Sequence, residues 1–268
     1  MTVPTLTAFL AAHQNAVLVE VAETKGSAPR EAGTMMLVAE TALWGTIGGG
    51  YLEFMAIGHA RRRLAGETVA DTLDVPLGPE IGQCCGGRTL LSFRSIDATI
   101  AAELAHRLQA ERDAFPQVML FGAGHVGLAL ARALQPLPLA VTLIDSRTEI
   151  DGTLPKGITF RRSAMPEAEV AQLKPGGAVV ILTHDHALDF LIAKEALARS
   201  DLAYVGMIGS KTKRATFASF LKREGADRDT LDRLTLPIGG GAVKDKRPAV
   251  IAAMVASELL GVLLGGGS

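Results

Sequence analysis

Residues Val118–Arg147 read VMLFGAGHVGLALARALQPLPLAVTLIDSR. The opening run, Val118–Phe121, is apolar, too short for a helix and suited to a buried strand. Gly122, Gly124 and Gly127 follow at G-x-G-x-x-G spacing. An Ala/Leu-rich helical stretch comes next, and a second apolar run, Ala140–Ile144, ends on Asp145. Each glycine answers a different steric need. Gly122 permits a tight turn, Gly124 lets a pyrophosphate approach the backbone, and Gly127 lets the helix pack close to the strand. The helix that opens there offers unpaired N–H groups and a positive dipole end to an anion. Asp145 is placed to accept a ribose hydroxyl. Strand, glycine turn, helix, strand and terminal acid, in that order, specify a Rossmann-type unit. They do not by themselves require a bound dinucleotide, because a fold can outlive its ligand.

Downstream the alternation continues. Gly157–Phe160 reads as a short strand, Ala178–Leu182 as a buried strand ending in THDH, and Ala187–Arg199 as a helix. Leu202–Val205 reads as a further strand ending in GMIGSKTKR, and Phe217–Arg223 lies on a helix. Alternating strands and helices imply a parallel sheet with right-handed crossovers. Ligands on such sheets sit beyond the carboxyl ends of the strands. That rule gathers Gly122–Gly127, Asp145, Thr183–His186 and Gly206–Arg214 into one cluster.

Upstream the pattern differs. Thr5–His13 reads as a helix, and Ala16–Glu23, Met35–Val38 and Ala42–Ile47 as strands around a loop, TKGSAPREAGT, rich in turn formers. Gly48, Gly49 and Gly50 then precede a helix over Tyr51–Leu64. Successive glycines at a strand-to-helix junction leave N–H groups to line an anion site, or simply make a turn. Arg61, Arg62 and Arg63 complement the dipole at that helix's end. Thr68–Val75 and Thr89–Ser95 read as strands, and Ala98–Arg112 as a helix before Pro116. The chain therefore divides near 97–116. Residues 1–100 form a mixed α/β domain, and 101–264 a Rossmann-like parallel-sheet domain.

At 268 residues and 48% hydrophobic, with 4% aromatic, the chain buries a sizeable core of Ala, Leu, Val and Ile. A formal net charge of −1 argues against a general nucleic-acid binder, which needs a basic excess. The most apolar segment, Pro248–Leu264, is short for a membrane span and carries Glu258, so it reads as a buried or interface helix. The N-terminus lacks a basic run before an apolar one, so a signal peptide is not expected, and two adjacent cysteines make no secreted disulfide framework. A cytoplasmic protein without membrane contact is the expectation.

Cys84 and Cys85 sit in IGQCCGGR with Gln83, Gly86, Gly87 and Arg88. Free cysteines are usually small buried hydrophobes. A glycine-rich loop beside an arginine instead favours a thiolate, which serves as a soft metal ligand, a persulfide carrier or a redox thiol. His184, Asp185 and His186 have the composition of metal ligands but lack a further ligand pair. Asp185 is equally a cap for the helix beginning near Ala187, and a contact to a cofactor's edge lies between these readings. Ser210, Lys211, Lys213 and Arg214 open a helix with a Ser cap and three cations, either an anion site or a solvated basic face.

ETKGSAPREAGTMMLV, GTIGGGYLE, GQCCGG, FGAGHVG, LIDSR, THDH and YVGMIGSKTKR occur in the order and approximate spacing of the xanthine dehydrogenase accessory protein family (XdhC/CoxI), and the chain resembles that family over nearly its whole length. The resemblance implies an N-terminal XdhC/CoxI domain and a C-terminal Rossmann domain. It implies a chaperone, not an enzyme, that takes up the molybdenum cofactor (molybdopterin) and supports its sulfuration with a cysteine desulfurase. It further implies delivery to an apo molybdenum hydroxylase such as xanthine dehydrogenase, and a homo-oligomeric state. Gly48, Gly49, Gly50, Gly122, Gly124, His125 and Gly127 become candidate phosphate or pterin contacts. Gln83, Asp145, His184, Ser210 and Lys211 join them as cofactor-binding candidates, and Cys84 or Cys85 as a contact to molybdenum.

One segment departs from the family pattern. The family commonly reads PIG-x-x-IG-x-x-TP-x-EIA, whereas this chain has PIGGGAVKDKRPAVIAAM. Pro237, Ile238, Gly239, Pro248 and Ile251 fit, but the acid after the second proline is absent. A different class of function is an NAD-dependent oxidoreductase, with Asp145 favouring NAD over NADP and Arg147 blurring that preference. His184, His186 and Lys211 would be its only obvious acid–base candidates. A third reading is an interaction scaffold with a vestigial Rossmann domain.

Overall fold

The structure, a computed structural model, describes residues 5–78, 86–147, 150, 152–225, 228–241 and 243–265. The chain forms two compact units, Met1–Ala110 and Glu111–Ser268.

The first unit is a five-stranded sheet in the order β3-β2-β1-β5-β4. Its strands are β1 (Ala16–Lys25), β2 (Met35–Ala39), β3 (Leu43–Gly45), β4 (Thr72–Pro76) and β5 (Arg88–Ser95). Every pairing is antiparallel. Strand alternation sends Val17, Val19 and Val21 to one face, where Phe93, Leu91, Met36 and Val38 join them. There they meet Leu52, Ala56 and Ala60 of α2 (Gly50–Leu64), whose spacing along the helix makes one apolar stripe. Ala16, Leu18, Leu37 and Ala39 face the other way, onto Leu6 and Phe9 of α1 (Leu6–Ala12) and Leu104 of α3 (Ala98–Asp113). The Thr5 hydroxyl caps α1 by accepting from Ala8 N at 3.2 Å. β4 is shorter than its sequence suggests, beginning at Thr72 rather than Thr68.

The second unit is a six-stranded sheet in the order β11-β10-β9-β6-β7-β8. Its strands are β6 (Gln117–Phe121), β7 (Ala140–Asp145), β8 (Thr159–Arg162), β9 (Ala178–Ile181), β10 (Tyr204–Met207) and β11 (Leu234–Thr235). All pairings are parallel. Counted from β6, the order is the doubly wound 3-2-1-4-5-6, with its switch point between β6 and β9. The central strands are buried on both faces, which is why they read as unbroken apolar runs. Val118, Leu120, Val180 and Leu143 pack on α4 (His125–Leu134) and on Ala252, Val255 and Leu259 of α9 (Pro248–Leu263). Met119, Phe121, Val179 and Ile181 pack on α6 (His186–Ala198) and α7 (Lys211–Arg223), through Phe190 and Phe217 with ring centroids 5.0 Å apart. Short α5 (Pro166–Glu169) and α8 (Arg228–Asp232) complete the unit.

α9, read from sequence as a buried or interface helix, buries one face through Ala252, Val255, Ala256 and Leu259 and leaves Val262 exposed. Glu258 within it accepts from Tyr204 Oη at 2.8 Å and from Gly239 N at 3.0 Å, which satisfies a charge in an apolar helix. Burial, and then the neighbouring Glu258, push the Tyr204 phenol well above its ordinary pKa, so it remains a donor. Among the described residues no helix is long and apolar enough to cross a membrane.

Candidate functional site

The switch point places four loops at the carboxyl edge of the second sheet. Two adjoining chambers lie there, sharing Thr183 and His184. The smaller, about 160 Å³, is lined by Gly122, Asp145, Ser146, Arg147 and Asp185 among others. The larger, about 590 Å³, extends past β10 to Ser210, Thr212, Lys213, Lys246 and Ile251. The strand-end rule thus gathers the expected segments into one cleft.

Its glycine turn is built as the motif requires. Gly122 has φ +112° and an added Cβ would stand 2.7 Å from Leu182 O, so the turn closes against β9. Gly127 allows α4 to lie against the turn, since a Cβ there would stand 1.9 Å from Gly122 O. Gly124 caps α4 with an ordinary φ of −82°, and a Cβ there would meet nothing within 4 Å. It faces open space, as an approach point for a ligand must. His125, the first residue of α4, is exposed.

Asp145 differs from its sequence reading. Its carboxylate is buried, and the chain's own donors occupy it. Oδ2 accepts from Ala123 N at 2.6 Å and Arg147 Nη2 at 2.9 Å, while Oδ1 accepts from Arg147 N at 2.9 Å and Nε at 3.1 Å. A carboxylate offers about four lone-pair directions, so four donors fill it. Burial pushes its pKa up, but the hydrogen bonds from Arg147 and Ala123 outweigh that and hold it below the ordinary value. A ribose hydroxyl must displace Arg147 to reach it.

On the far side, Asp185 caps α6 by accepting from Ala187 N at 2.8 Å and Leu188 N at 3.3 Å. That use of Asp185 leaves His184 and His186 as exposed cleft residues. Among the described residues no group of three or more His, Cys, Asp or Glu is placed to hold a metal ion. Ser210 caps α7, accepting from Lys213 N at 3.2 Å. The three cations behind it part company. Lys211 is exposed and lines neither chamber. Arg214 donates to Leu234 O and Leu231 O. Lys213 pairs with Asp189, which is fully buried, and donates to Ile208 O at 2.9 Å. Thr183 Oγ1 completes that cluster, 2.6 Å from Asp189 Oδ1. Only a fold brings α6, α7 and the end of β9 together, so spacing carried no signal for this buried pair.

Of the sequence-selected residues in this unit, Gly122, Asp145, His184 and Ser210 line the cleft. Gly124, His125, Gly127 and Lys211 do not. Lys246 does, although sequence reasoning missed it.

In the first unit two N–H groups of the Gly48–Gly50 loop, those of Gly48 and Gly49, already have partners within the chain. Glu53 Oε2, one turn into α2, accepts from Thr46 Oγ1 at 2.6 Å, Ile47 N at 3.2 Å and Gly49 N at 3.1 Å. Gly48 N donates to Thr46 Oγ1 at 3.1 Å. The loop already holds an anion, and it belongs to the chain. Gly48 lies against Pro29 and Arg30, and Ser27 bridges to Gly86, so the loops of this unit's motifs converge at one end of the sheet. Gln83, Cys84 and Cys85 lie outside the described residues.

These features define an open α/β protein with a ligand-type cleft at its switch point. Residues 118–259 match the XdhC Rossmann domain and residues 9–75 the XdhC and CoxI family, and the chain belongs to that family. It is 25% identical over 257 residues to the uncharacterized protein YqeB of Escherichia coli (strain K12), covering 91% of this chain and 43% of that protein. The chain therefore spans less than half the length of that curated relative. A crystal structure of a xanthine dehydrogenase from Bacillus halodurans has the same fold, with a TM-score of 0.78 at 17% identity, covering 98% of this chain and 96% of that one.

Proposed function

We propose that this chain is a molybdenum cofactor chaperone. It takes molybdopterin as cargo in the cleft of its second unit and delivers it to an apo molybdenum hydroxylase such as xanthine dehydrogenase. Family membership supports a part in xanthine dehydrogenase maturation. The observation that carries the reading further is the two-chamber cleft at the switch point, whose chambers share Thr183 and His184 and whose smaller chamber is lined by Gly122.

The fit is chemical. A pterin needs a flat slot with donors and acceptors at its edge, and the smaller chamber offers Ser146, Thr183 and Asp185 beside apolar Ile144 and Leu188. The phosphate needs hydroxyls and cations, which the larger chamber supplies. On sequence grounds Cys84 and Cys85 remain candidate soft thiolate contacts to molybdenum. A cysteine desulfurase then acts on cargo held by this chain, and homo-oligomerisation follows the family. A carrier must release its cargo, so its affinity stays submaximal and docking on the recipient weakens it.

The test is anaerobic co-purification from a molybdenum-replete host, with metal analysis and pterin fluorescence after oxidation. Matched molybdenum and pterin are expected, and a preparation with neither sinks the reading. Cys84→Ala and Cys85→Ala, singly and together, are expected to lower molybdenum loading. Unchanged loading removes the thiols from the site.

One observation favours a second reading, an NAD-dependent oxidoreductase: Asp145 stands at the end of β7, where a dinucleotide-binding acid belongs. Arg147 covers it, which favours the chaperone. NAD titration with hydride transfer to a carbonyl substrate would decide for the oxidoreductase.

A further inference from the structure

We infer that Lys246 is the selecting cation of the larger chamber, which makes that chamber a receptor for a phosphate or diphosphate ester. The inference deepens the cargo reading, because it rests on this cleft being the ligand site and assigns the cargo's anionic end to the α7 side of it.

Among the described residues that line the chamber there is no carboxylate. It presents Lys246, Lys213, His184 and His186 with the hydroxyl-bearing Ser210 and Thr212. The two lysines are not equivalent. Lys213 is neutralised from behind by Asp189 and held by Ile208 O, with its side chain only 8% exposed. Lys246 is exposed, and among the described residues it pairs with no carboxylate.

The segment around it keeps it that way. Asp245, next in sequence, accepts from Arg247 N at 2.9 Å, Nε at 2.8 Å and Nη2 at 2.5 Å. That clamp spends the local acid on Arg247 and leaves the Lys246 ammonium for the cleft. The same chamber is lined by Ser210, the cap of α7, a helix of 13 residues whose dipole adds to the same field. A cation from one segment, hydroxyls from another and, among the described lining residues, no acid make a site for a group with several anionic oxygens.

The experiment measures inorganic pyrophosphate binding to the full chain by calorimetry at low and high salt, beside molybdenum–pterin co-purification. Pyrophosphate is expected to bind, more weakly as salt rises. Lys246→Glu is expected to weaken it by about tenfold or more, the scale of one hydrogen bond between charged groups. Lys244→Glu makes the same charge change on the same segment but outside the chamber lining, and is expected to have a much smaller effect. Equal losses from the two variants would reduce the effect to a general field and overturn the assignment. Absence of pyrophosphate binding would also overturn it. Lys246-dependent binding without co-purified cofactor keeps this inference and refutes molybdopterin as cargo. Normal loading with an indifferent Lys246→Glu refutes the inference and keeps the cargo.

Discussion

Gly122–Gly127 in the second unit and Gly48–Gly50 in the first each join a strand to a helix. In sequence they invite the same anion-site reading. In the structure they are opposites. The first-unit turn is closed by Glu53 of the helix it precedes, which takes Ile47 N and Gly49 N for itself. The second-unit turn meets an acid from the neighbouring strand, Asp145, which takes only Ala123 N and is then capped by Arg147. Beyond that contact Gly124 faces open space and Gly122 lines a cleft. Glycine spacing fixes the shape of a turn. Whether its donors serve a ligand depends on where the nearest carboxylate of the chain comes to rest.

The largest effect expected from breaking this comparison is at Gly127. An added methyl would stand 1.9 Å from the backbone oxygen of Gly122, which cannot yield without unseating α4. Gly127→Ala is expected to cost about 3 kcal/mol or more in denaturant unfolding. Gly49 is limited by conformation instead of contact, with φ +77°, ψ −171° and nothing within 4 Å of an added Cβ. Gly49→Ala is expected to cost about 1–3 kcal/mol. Equal costs at the two positions would mean that crowding does not set the second turn apart. In the same range lies Glu53→Ala, which strips three donors of a charged acceptor and is expected to cost about 1–3 kcal/mol. Glu53→Gln keeps an acceptor and should lose less. If Glu53→Ala is neutral by thermal unfolding, the first turn is not held by its own acid.

Much of this was legible in the sequence because it is local. The parallel sheet follows from apolar runs alternating with helices, and the cleft residues from the strand-end rule. The Asp185 and Ser210 caps follow from short polar residues placed just ahead of helices. What escaped is either short or nonlocal. β11 spans Leu234–Thr235 and α5 Pro166–Glu169, lengths at which periodicity has no meaning. β8 runs two residues later than its apolar content suggests, over Thr159–Arg162, since its edge position tolerates Arg161 and Arg162. Glu53 closing its own turn, Arg147 folding over Asp145, and Lys246 reaching the larger chamber depend on side-chain direction and chain return, which composition does not encode.

A smaller, pH-dependent effect tests the Asp145 side of the comparison. Burial raises this carboxyl's pKa, but the hydrogen bonds from Arg147 and Ala123 bring it net below the ordinary value of about 3.9. In that window the unfolded chain binds more protons than the folded one, so stability rises with pH. The contribution is complete above the ordinary value and is lost as pH falls through the depressed folded value. Denaturant midpoints followed from neutral pH into acid should therefore show wild type converging on Asp145→Asn. Parallel curves would mean that Asp145 is not held ionised by its donors.

The smallest effect on stability, and the sharpest on the comparison, is expected at Gly124. Its backbone is ordinary and an added Cβ meets nothing within 4 Å, so Gly124→Val should cost only about 0.5–1 kcal/mol, the penalty of a poor N-cap residue. Its effect should appear in molybdenum and pterin loading, because the valine side chain occupies the space through which cargo approaches the turn. Pyrophosphate affinity in the larger chamber, on the α7 side, should hardly change. Lower loading with unfolding still cooperative would show that the second turn serves a ligand where the first serves its helix. Unchanged loading would make the two turns alike, both structural junctions. The cargo would then be held by Thr183, His184 and the residues around α7, without the glycine motif by which the fold is recognised.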